Sequence, residues 1–423
     1  MSNGNSDHLI PQSVTALPTT RTVALLIESS RGYGRGLLRG VAKYLRSHGQ
    51  WQILHQDLAL TDSLPRWFAE GEYHGALVRL EHRSWAQHVT DVGRPAVDLR
   101  GLWPVAGVPV IGPDDRQAVH LAIGHLRERG LRNLAFCGFG GLDFSERRSQ
   151  HFAEELAALG LTARTHQSPR PPPGLDTPSV ESLAMASDIH LARWLLELPK
   201  PVGLVACNDV RGRQVLEVAR RLGIRVPEQI AVVGIDDDDV LCTLAEPQMS
   251  SVIPATERIG FEAATLLDRM MAGETFPDGC QMTFPAIGVA TRKSTDTLAI
   301  DDPQIAAAIK FIRHRSGAVT GEEVLDYLAS NGAEGAVSRS TLDKRFGAHL
   351  GRSLKEEILR VRLERIKDLL LHTRHAAAHI ARVVGMQHPE QLSAFFKRAT
   401  GQTPGQFRSN NACTLQPNQD EHW

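Results

Sequence analysis

Phe395-Phe396-Lys397-Arg398-Ala399-Thr400-Gly401-Gln402-Thr403-Pro404-Gly405-Gln406-Phe407-Arg408 closes the last periodic stretch of this 423-residue chain. Leu392, Phe395, Phe396 and Ala399 follow i, i+3, i+4 and i+7, the buried stripe of a short helix. Pro389 suits the first position of that helix. Just upstream, Gly385-Met386-Gln387-His388 reads as a turn, because glycine reaches left-handed geometry without steric cost. Residues 376–384 read as the helix before the turn. The periodicity leaves Glu390, Gln391, Ala394, Lys397 and Arg398 facing outward. Amides and carboxylates can meet base edges and cations can meet phosphates, so the profile fits a recognition helix. Taken alone, it also describes any amphipathic surface helix.

The same elements occur once more upstream. Residues 322–328 are helical in pattern. Ser338 is placed to cap a helix over residues 339–346, with Val337 and Leu342 at hydrophobic-staple spacing. Leu342 and Phe346 then face inward, and Arg339, Ser340, Asp343 and Lys344 face out. Between the two units, Ser353-Leu354-Lys355-Glu356 has the form of a capping box. It opens a long helix whose Leu359, Leu363, Ile366 and Leu370 make a stripe able to pack both units.

The closing stretch, with Gly385 at its distance upstream, resembles the AraC/XylS-type DNA-binding domain over residues 303–408. The resemblance implies two helix-turn-helix units on one rigid helix, entering successive major-groove segments about 34 Å apart. It implies DNA-contacting roles for Arg339, Ser340, Asp343 and Lys344 in the first unit. In the second it implies them for His388, Glu390, Gln391, Ala394, Lys397 and Arg398. Two departures stand out. A Gly-rich turn at residues 330–335 replaces a tight one, and His388 stands where the family has a Ser or Asp cap.

Ahead of this back half the pattern is different. Apolar runs at residues 21–28 (RTVALLIE), 51–56, 74–80 (HGALVRL), 109–112, 133–139, 202–207 and 230–235 alternate with amphipathic helices, the first over residues 34–48. Continuous apolar strands between helices predict parallel sheets covered on both faces. Nearly 280 residues of this rhythm predict two α/β lobes with a cleft between them. The expected organisation is a loose segment 1–20, an effector domain 21–290, a linker 291–303, an all-α domain 304–408 and a loose tail 409–423. Residues 168–174 (SPRPPPG) form a stiff exposed loop within the effector domain.

Polar groups gather just past the strand ends, where open α/β sheets bind ligands. They are Asp114 and Asp115, Phe144 with Arg147 and Arg148, Asn208 and Asp209, and the run Asp236–Asp239. Carboxylates, an amide, arginine forks and one aromatic face match the needs of a polyhydroxyl ligand. A single such residue is usually only a helix cap. The first turn, Ser29-Ser30-Arg31-Gly32-Tyr33-Gly34-Arg35-Gly36, suggests a dinucleotide loop, with Asp57 in the place of a ribose-binding acid. Neither glycine register is completed, since Leu37 and Arg39 occupy the third position. The acid run is a weak Mg²⁺ candidate. His372, His375 and His379 read as surface histidines rather than a metal site.

Asn208-Asp209-Val210, residues 232–236 (VVGID) and Gly124-His125-Leu126 resemble the effector domain shared by LacI-type repressors and periplasmic sugar-binding proteins. That resemblance implies ligand roles for Asp114, Arg148, Asn208 or Asp209, and Asp236, with a contribution near Ser29 and Ser30. Such a front joined to an AraC-type back is similar to the bacterial regulators of xylose operons, as are Arg292-Lys293-Ser294-Thr295-Asp296 and Phe311-Ile312-Arg313. It implies a transcription activator with D-xylose as effector and promoter half-sites as target. A homodimer, with RNA polymerase as candidate partner and no cofactor, is the expected assembly. The alternatives are an NAD-dependent sugar dehydrogenase with a helical appendage, or a sugar sensor whose helical end meets protein.

Composition agrees. Apolar residues at 42% and charged residues at 22% exclude wholesale disorder. No apolar run reaches the length of a membrane span, and the polar start lacks a signal-peptide pattern. Five widely spaced cysteines fit reduced thiols in the cytoplasm. Net charge is −1 overall, yet residues 301–410 hold 17 Lys and Arg against 12 Asp and Glu. A basic back on an acidic front suits a polyanion partner. No paired nucleophile and base is evident, so catalysis is not expected.

Overall fold

The computed structural model describes residues 20–411 except 50, 58–62, 173, 187, 298–299, 301 and 331–337. The expected loose N-terminus, the core of the Gly-rich turn, Val337, Cys413, the side chain of His372 and the residues beyond 411 lie outside the described residues. Twelve strands run in chain order: β1 (Arg21–Leu26), β2 (Trp51–Leu54), β3 (Gly75–Val78), β4 (Ala96–Asp98), β5 (Val110–Pro113), β6 (Asn133–Gly138), β7 (Arg164–Gln167), β8 (Val202–Ala206), β9 (Ile230–Ile235), β10 (Ser250–Ile253), β11 (Gln281–Phe284) and β12 (Gly288–Ala290). They form two six-stranded sheets, β11-β5-β4-β3-β1-β2 and β12-β10-β9-β8-β6-β7. Pairing is parallel throughout except for β12, which runs antiparallel to β10.

Each sheet is the centre of one lobe. The apolar runs that announced parallel strands are buried on both faces: Val23, Ala24, Leu26, Val205, Val232 and Val233 are all inaccessible or nearly so. The chain crosses between lobes after β5, after β10 and after β11. Hydrogen bonds knit the crossings: Asp114 N donates to Phe284 O, and Ile287 N donates to Ile253 O. Three tied crossings side by side have the arrangement of a hinge.

Several sequence expectations need correction. The first helix is Gly32–His48, beginning two residues early. Strands β4, β7, β10, β11 and β12 were not expected. β10 reads as polar because it starts Ser250-Ser251. Both serines are fully buried, yet Ser251 Oγ donates to Asp209 and Ser250 Oγ to Arg292 O. The linker does not start at Thr291. Residues 291–297 fold back onto the second lobe, where Ser294 Oγ donates to Val232 O and Ser294 and Thr295 are fully buried. The effector domain therefore reaches Thr297.

Beyond it the chain is helical: Pro303–His314, Gly321–Ser330, Arg339–Leu350, Leu354–His372, Ala377–Val383, Pro389–Thr400 and Pro404–Asn411. Ser338 caps its helix, and Ser353 with Glu356 forms the expected capping box. Gly385 adopts φ 73°, and a Cβ there would stand 2.9 Å from Ala318 Cα, so the turn is pressed against the first unit. The long Leu354–His372 helix serves both units, through shifted positions. Leu354, Ile358 and Val361 pack the first unit, and Ile366, Leu369 and Leu370 pack the second. Leu359 and Leu363 are only half-buried, because the stripe follows the two units it faces rather than one straight row. In the last recognition-type helix Leu392 and Phe396 are buried, Phe395 is half-buried and Ala399 is exposed.

Candidate functional site

The cleft between the lobes lies at the C-terminal ends of the parallel strands and encloses about 120 Å³. Each strand end contributes. Glu28 follows β1, Arg79 and Glu81 follow β3, and Arg100 follows β4. From the second lobe come Phe144, Arg147 and Arg148 on the helix after β6, Asn208 and Asp209 after β8, and Asp236 after β9. Asp115 opens the helix that follows the β5 crossing.

Charged side chains form two ladders. In the first lobe Arg79 Nη1 lies 2.5 Å from Glu28 Oε1 and Nη2 lies 3.1 Å from Glu81. Arg100 spans Glu81 and, across the cleft, Asp143. In the second lobe Asp115 accepts from Arg148 Nε at 2.8 Å and from Arg147 Nε at 3.0 Å. Arg148 also donates to Cys207 O and stands 3.7 Å from Asp236. Its guanidinium lies 5.4 Å from the centre of the Phe144 ring, which also lines the cavity. Tyr33 lies under Arg79 in the same way.

Further contacts close the lobes on each other. Arg31 Nη2 meets Glu181 Oε2 at 2.7 Å, and Gly32 N donates to Asp238 Oδ2 at 2.7 Å. A Cβ at residue 32 would stand 2.9 Å from that oxygen and 3.2 Å from Asp238 Cα, so a larger residue would have to push Asp238 aside.

Burial sets the electrostatics. It raises the Asp236 carboxyl to about 6, with Asp115 adding to the rise and Arg148 opposing it. Burial also raises Glu28 despite Arg79, and Glu181 despite Arg31. Asp143 goes the other way: burial would raise it, but Arg100 and Arg147 hold it at about 2. Asp236 and Asp237 have φ of 121° and 48°, uncommon for residues with a Cβ. The strain is held by Asp237 N donating to Ser251 Oγ and by the Arg292–Asp237 ion pair. Among the described residues, two of the buried polar atoms without a hydrogen-bond partner belong to the cleft: Glu28 Oε2 and Arg79 Nε. Both residues line the cavity. A group that donates to the first and accepts from the second would satisfy both, and a hydroxyl does so.

Of the ligand residues expected from sequence, Asp115, Phe144, Arg147, Arg148, Asn208, Asp209 and Asp236 line the cleft. Ser29, Ser30 and Asp114 do not. Ser29 Oγ donates outward to Asp57, Ser30 is exposed, and Asp114 caps the next helix through Gln117 N. Asp209 is committed to the fold, accepting from Ser251 Oγ and from Asp238 N. Asn208 caps its helix and donates to Glu181. Sequence reasoning missed Glu28, Arg31, Tyr33, Arg79, Glu81, Arg100 and Glu181, and named Asp238 only within the run Asp236–Asp239. The signal for four of them, Glu28, Arg79, Glu81 and Arg100, was the one used elsewhere, a polar residue just past an apolar run.

At the other end, Arg339, Ser340, Lys344, His388, Glu390, Gln391, Ala394, Lys397 and Arg398 are all exposed. Asp343 departs from its outward placement. It is half-buried, and its Oδ1 accepts from Leu354 N, which fixes the start of the long helix. His388 occupies the N-cap without a side-chain cap bond and is exposed.

A two-lobed, ligand-closing domain followed by paired helix-turn-helix units defines a class: the one-chain, effector-responsive DNA-binding regulator. The periplasmic binding protein-like domain family matches residues 123–295, and a helix-turn-helix domain family matches residues 333–410. The chain thus joins a periplasmic binding protein-like domain to a helix-turn-helix domain in one polypeptide. It is similar to the xylose operon regulatory protein of Escherichia coli K12, at 29% identity over 92% of this chain and 97% of that one. The protein of the same name from Haemophilus influenzae is 27% identical over 92% and 98%. Among solved structures, one described as the xylose-binding transcription activator xylR matches with TM-score 0.57 at 27% identity, covering 93% of this chain and 99% of that one. A CelR–cellobiose complex matches with TM-score 0.51 at 26% identity, covering 66% of this chain and 86% of that one. The pairing of domains and these likenesses support an effector-responsive DNA-binding regulator. No helix among the described residues is long and apolar enough to cross a membrane.

Proposed function

We propose that the effector is a neutral pentose, D-xylose first, and that its binding activates transcription from promoters carrying paired half-sites. The observation that carries this reading is the charge of the cleft. Seven carboxylates and five arginines line it, and each arginine is already matched to a carboxylate. A sugar acid or sugar phosphate would find no unmatched cation. A neutral sugar finds Glu28 Oε2 and Asp236 to accept from its hydroxyls, Arg79 and Arg148 to donate, and the Phe144 face beside its C–H edge. The small enclosed volume favours one monosaccharide. The relatives' names supply the particular sugar.

In this reading Glu28, Arg79, Asp115, Phe144, Arg148, Asn208 and Asp236 contact or frame the ligand, and Arg147 and Asp209 hold them in place. Gln391 and Glu390 read base edges while Lys397, Arg398, Arg339 and Lys344 meet phosphates. The chain acts in the cytoplasm as a homodimer that presents RNA polymerase with a bound promoter. Calorimetric titration with D-xylose, L-arabinose, D-glucose and D-gluconate tests the ligand, and anisotropy on labelled pentose-operon promoter DNA with and without the sugar tests the output. Binding of gluconate in preference to every neutral sugar would sink the reading.

A further inference from the structure

The DNA-binding domain rests on both lobes at once. The first unit meets the second lobe. Arg360 Nη1 lies 2.6 Å from Glu128 Oε2, and Arg313 Nη2 approaches Glu128 O at 3.5 Å. Glu128 and Arg129 end the helix packed on the second sheet, and Arg129 is buried there with Thr295 O and His125 O as acceptors. The second unit meets the hinge and the first lobe. Ile253 and Ile287, paired at two of the crossings, pack into the same apolar cluster as Ile380, Leu392 and Phe396. The Pro404–Asn411 helix touches the Thr256–Met271 helix of the first lobe, and Lys43 Nζ donates to Ser409 O.

The two docks are different in kind. One is polar, with several guanidiniums around one glutamate, and the other is apolar. The rigid Leu354–His372 helix joins them, with Arg360 near its start and Ile366 to Leu370 in the second cluster. A single rigid body fixed to two lobes fits only one angle between them. Here that angle is the closed one, latched by Arg31–Glu181 and by Gly32–Asp238.

We propose that the effector domain carries a composite docking surface, one patch per lobe, on which the chain's own DNA-binding domain sits as a strut that holds the cleft closed. Opening of the lobes requires one dock to release, and the polar Glu128–Arg360 dock is the one that yields, since a half-buried ion pair regains hydration when it separates while the hinge cluster would expose apolar surface. Sugar and docked domain therefore favour the same lobe angle, and by linkage each strengthens the other. The linkage between sugar and dock rests on the sugar reading above; the strut itself does not.

The test uses the full chain without ligand. Hydrogen exchange reads the Gly32 amide, whose bond to Asp238 crosses the cleft, in wild type, Glu128→Gln and Ile287→Ser. Both substitutions lie outside the cleft. Exchange of the 32–35 segment is expected to rise by at least about threefold in each, as the cleft opens more often. Unchanged protection there in both variants, with the fold intact by circular dichroism, overturns the strut. The same variants are then titrated with D-xylose and promoter DNA. Loss of the sugar-dependent change in DNA affinity is expected in both, and its full retention argues against coupling through the docks. If wild type itself ignores every sugar while exchange rises in the variants, the sugar reading fails and the strut stands.

Discussion

Arg31 Nη2 in the first lobe lies 2.7 Å from Glu181 Oε2 in the second, and Glu181 Oε1 accepts from Asn208 at the same time. One carboxylate thus ties the closing arm to a strand end of the opposite lobe. Glu181→Gln keeps the shape and removes the charge. Sugar affinity should fall about tenfold, equivalent to about 1.4 kcal/mol, because the closed state loses a charge-assisted bond. DNA affinity without sugar should stay within about twofold, since no DNA-facing residue is touched. Calorimetry and anisotropy on the same preparation check the pair of outcomes.

Glu28 Oε2 and Arg79 Nε are the unmatched buried atoms of the cleft. Glu28→Gln should cost the ligand about 1–3 kcal/mol, since a hydroxyl donor loses its acceptor. The same change should not lower the melting temperature of the ligand-free chain, because Arg79 retains Glu81 and a buried carboxylate is neutralised. A thermal-shift series over sugar concentration separates the two effects. A large drop in melting temperature without ligand would mean that Glu28 is a structural residue instead.

Asp236 gives the cleft a pH dependence. Its carboxyl is raised from the ordinary aspartate value to about 6 by burial and by Asp115, against Arg148. Between about pH 4 and 6 the folded chain keeps a proton that the unfolded chain has released. Asp236 therefore costs stability progressively as pH rises through that window, and the cost is complete above it. Asp236→Asn should raise the melting temperature at pH 7.5 relative to wild type, with the gap closing toward about pH 4. Sugar affinity should move oppositely in wild type, weakening below about pH 6 as the acceptor is protonated. Melting curves and titrations across pH read both trends, and a gap that persists unchanged to acid would contradict the assignment.

Much of this was legible in the sequence, for a physical reason. The central strands of each sheet are buried on both faces, so β1, β3, β6, β8 and β9 appear as unbroken apolar runs. β10 hides because its buried serines find partners only in three dimensions, in Asp209 and Arg292. The second lobe's site residues stood out because Asn208-Asp209 and Asp236 are plainly polar after such runs. Glu28 was read as the last residue of a strand, and Arg79 as an interruption inside one. Glu181 carries no local signal at all: it reaches the cleft from a helix after the proline-rich loop, and only tertiary packing brings it to Arg31. Asp343 shows the converse, a residue outward by periodicity that is claimed by a neighbouring helix end.

The exposed face of the Pro389–Thr400 helix divides by chemistry into two kinds of contact. Arg398 and Lys397 lie in its last turn and are solvent-exposed. As phosphate contacts they should act alike on all sequences. Arg398→Ala should weaken binding to promoter and unrelated DNA by similar factors and reduce the salt slope by about 1. Gln391 lies in the first turn, beside Glu390 and His388, where a helix end reaches base edges. Gln391→Ala should cost about 1–3 kcal/mol on the cognate site and little on unrelated DNA. Neither change should alter the calorimetric affinity for sugar, because the buried Leu392 and Phe396 that hold this helix to the hinge cluster are untouched. Anisotropy titrations at four salt concentrations on both DNAs distinguish the two patterns. A uniform loss for Gln391→Ala, or a sequence-selective loss for Arg398→Ala, would mean that the helix enters the groove in a different register.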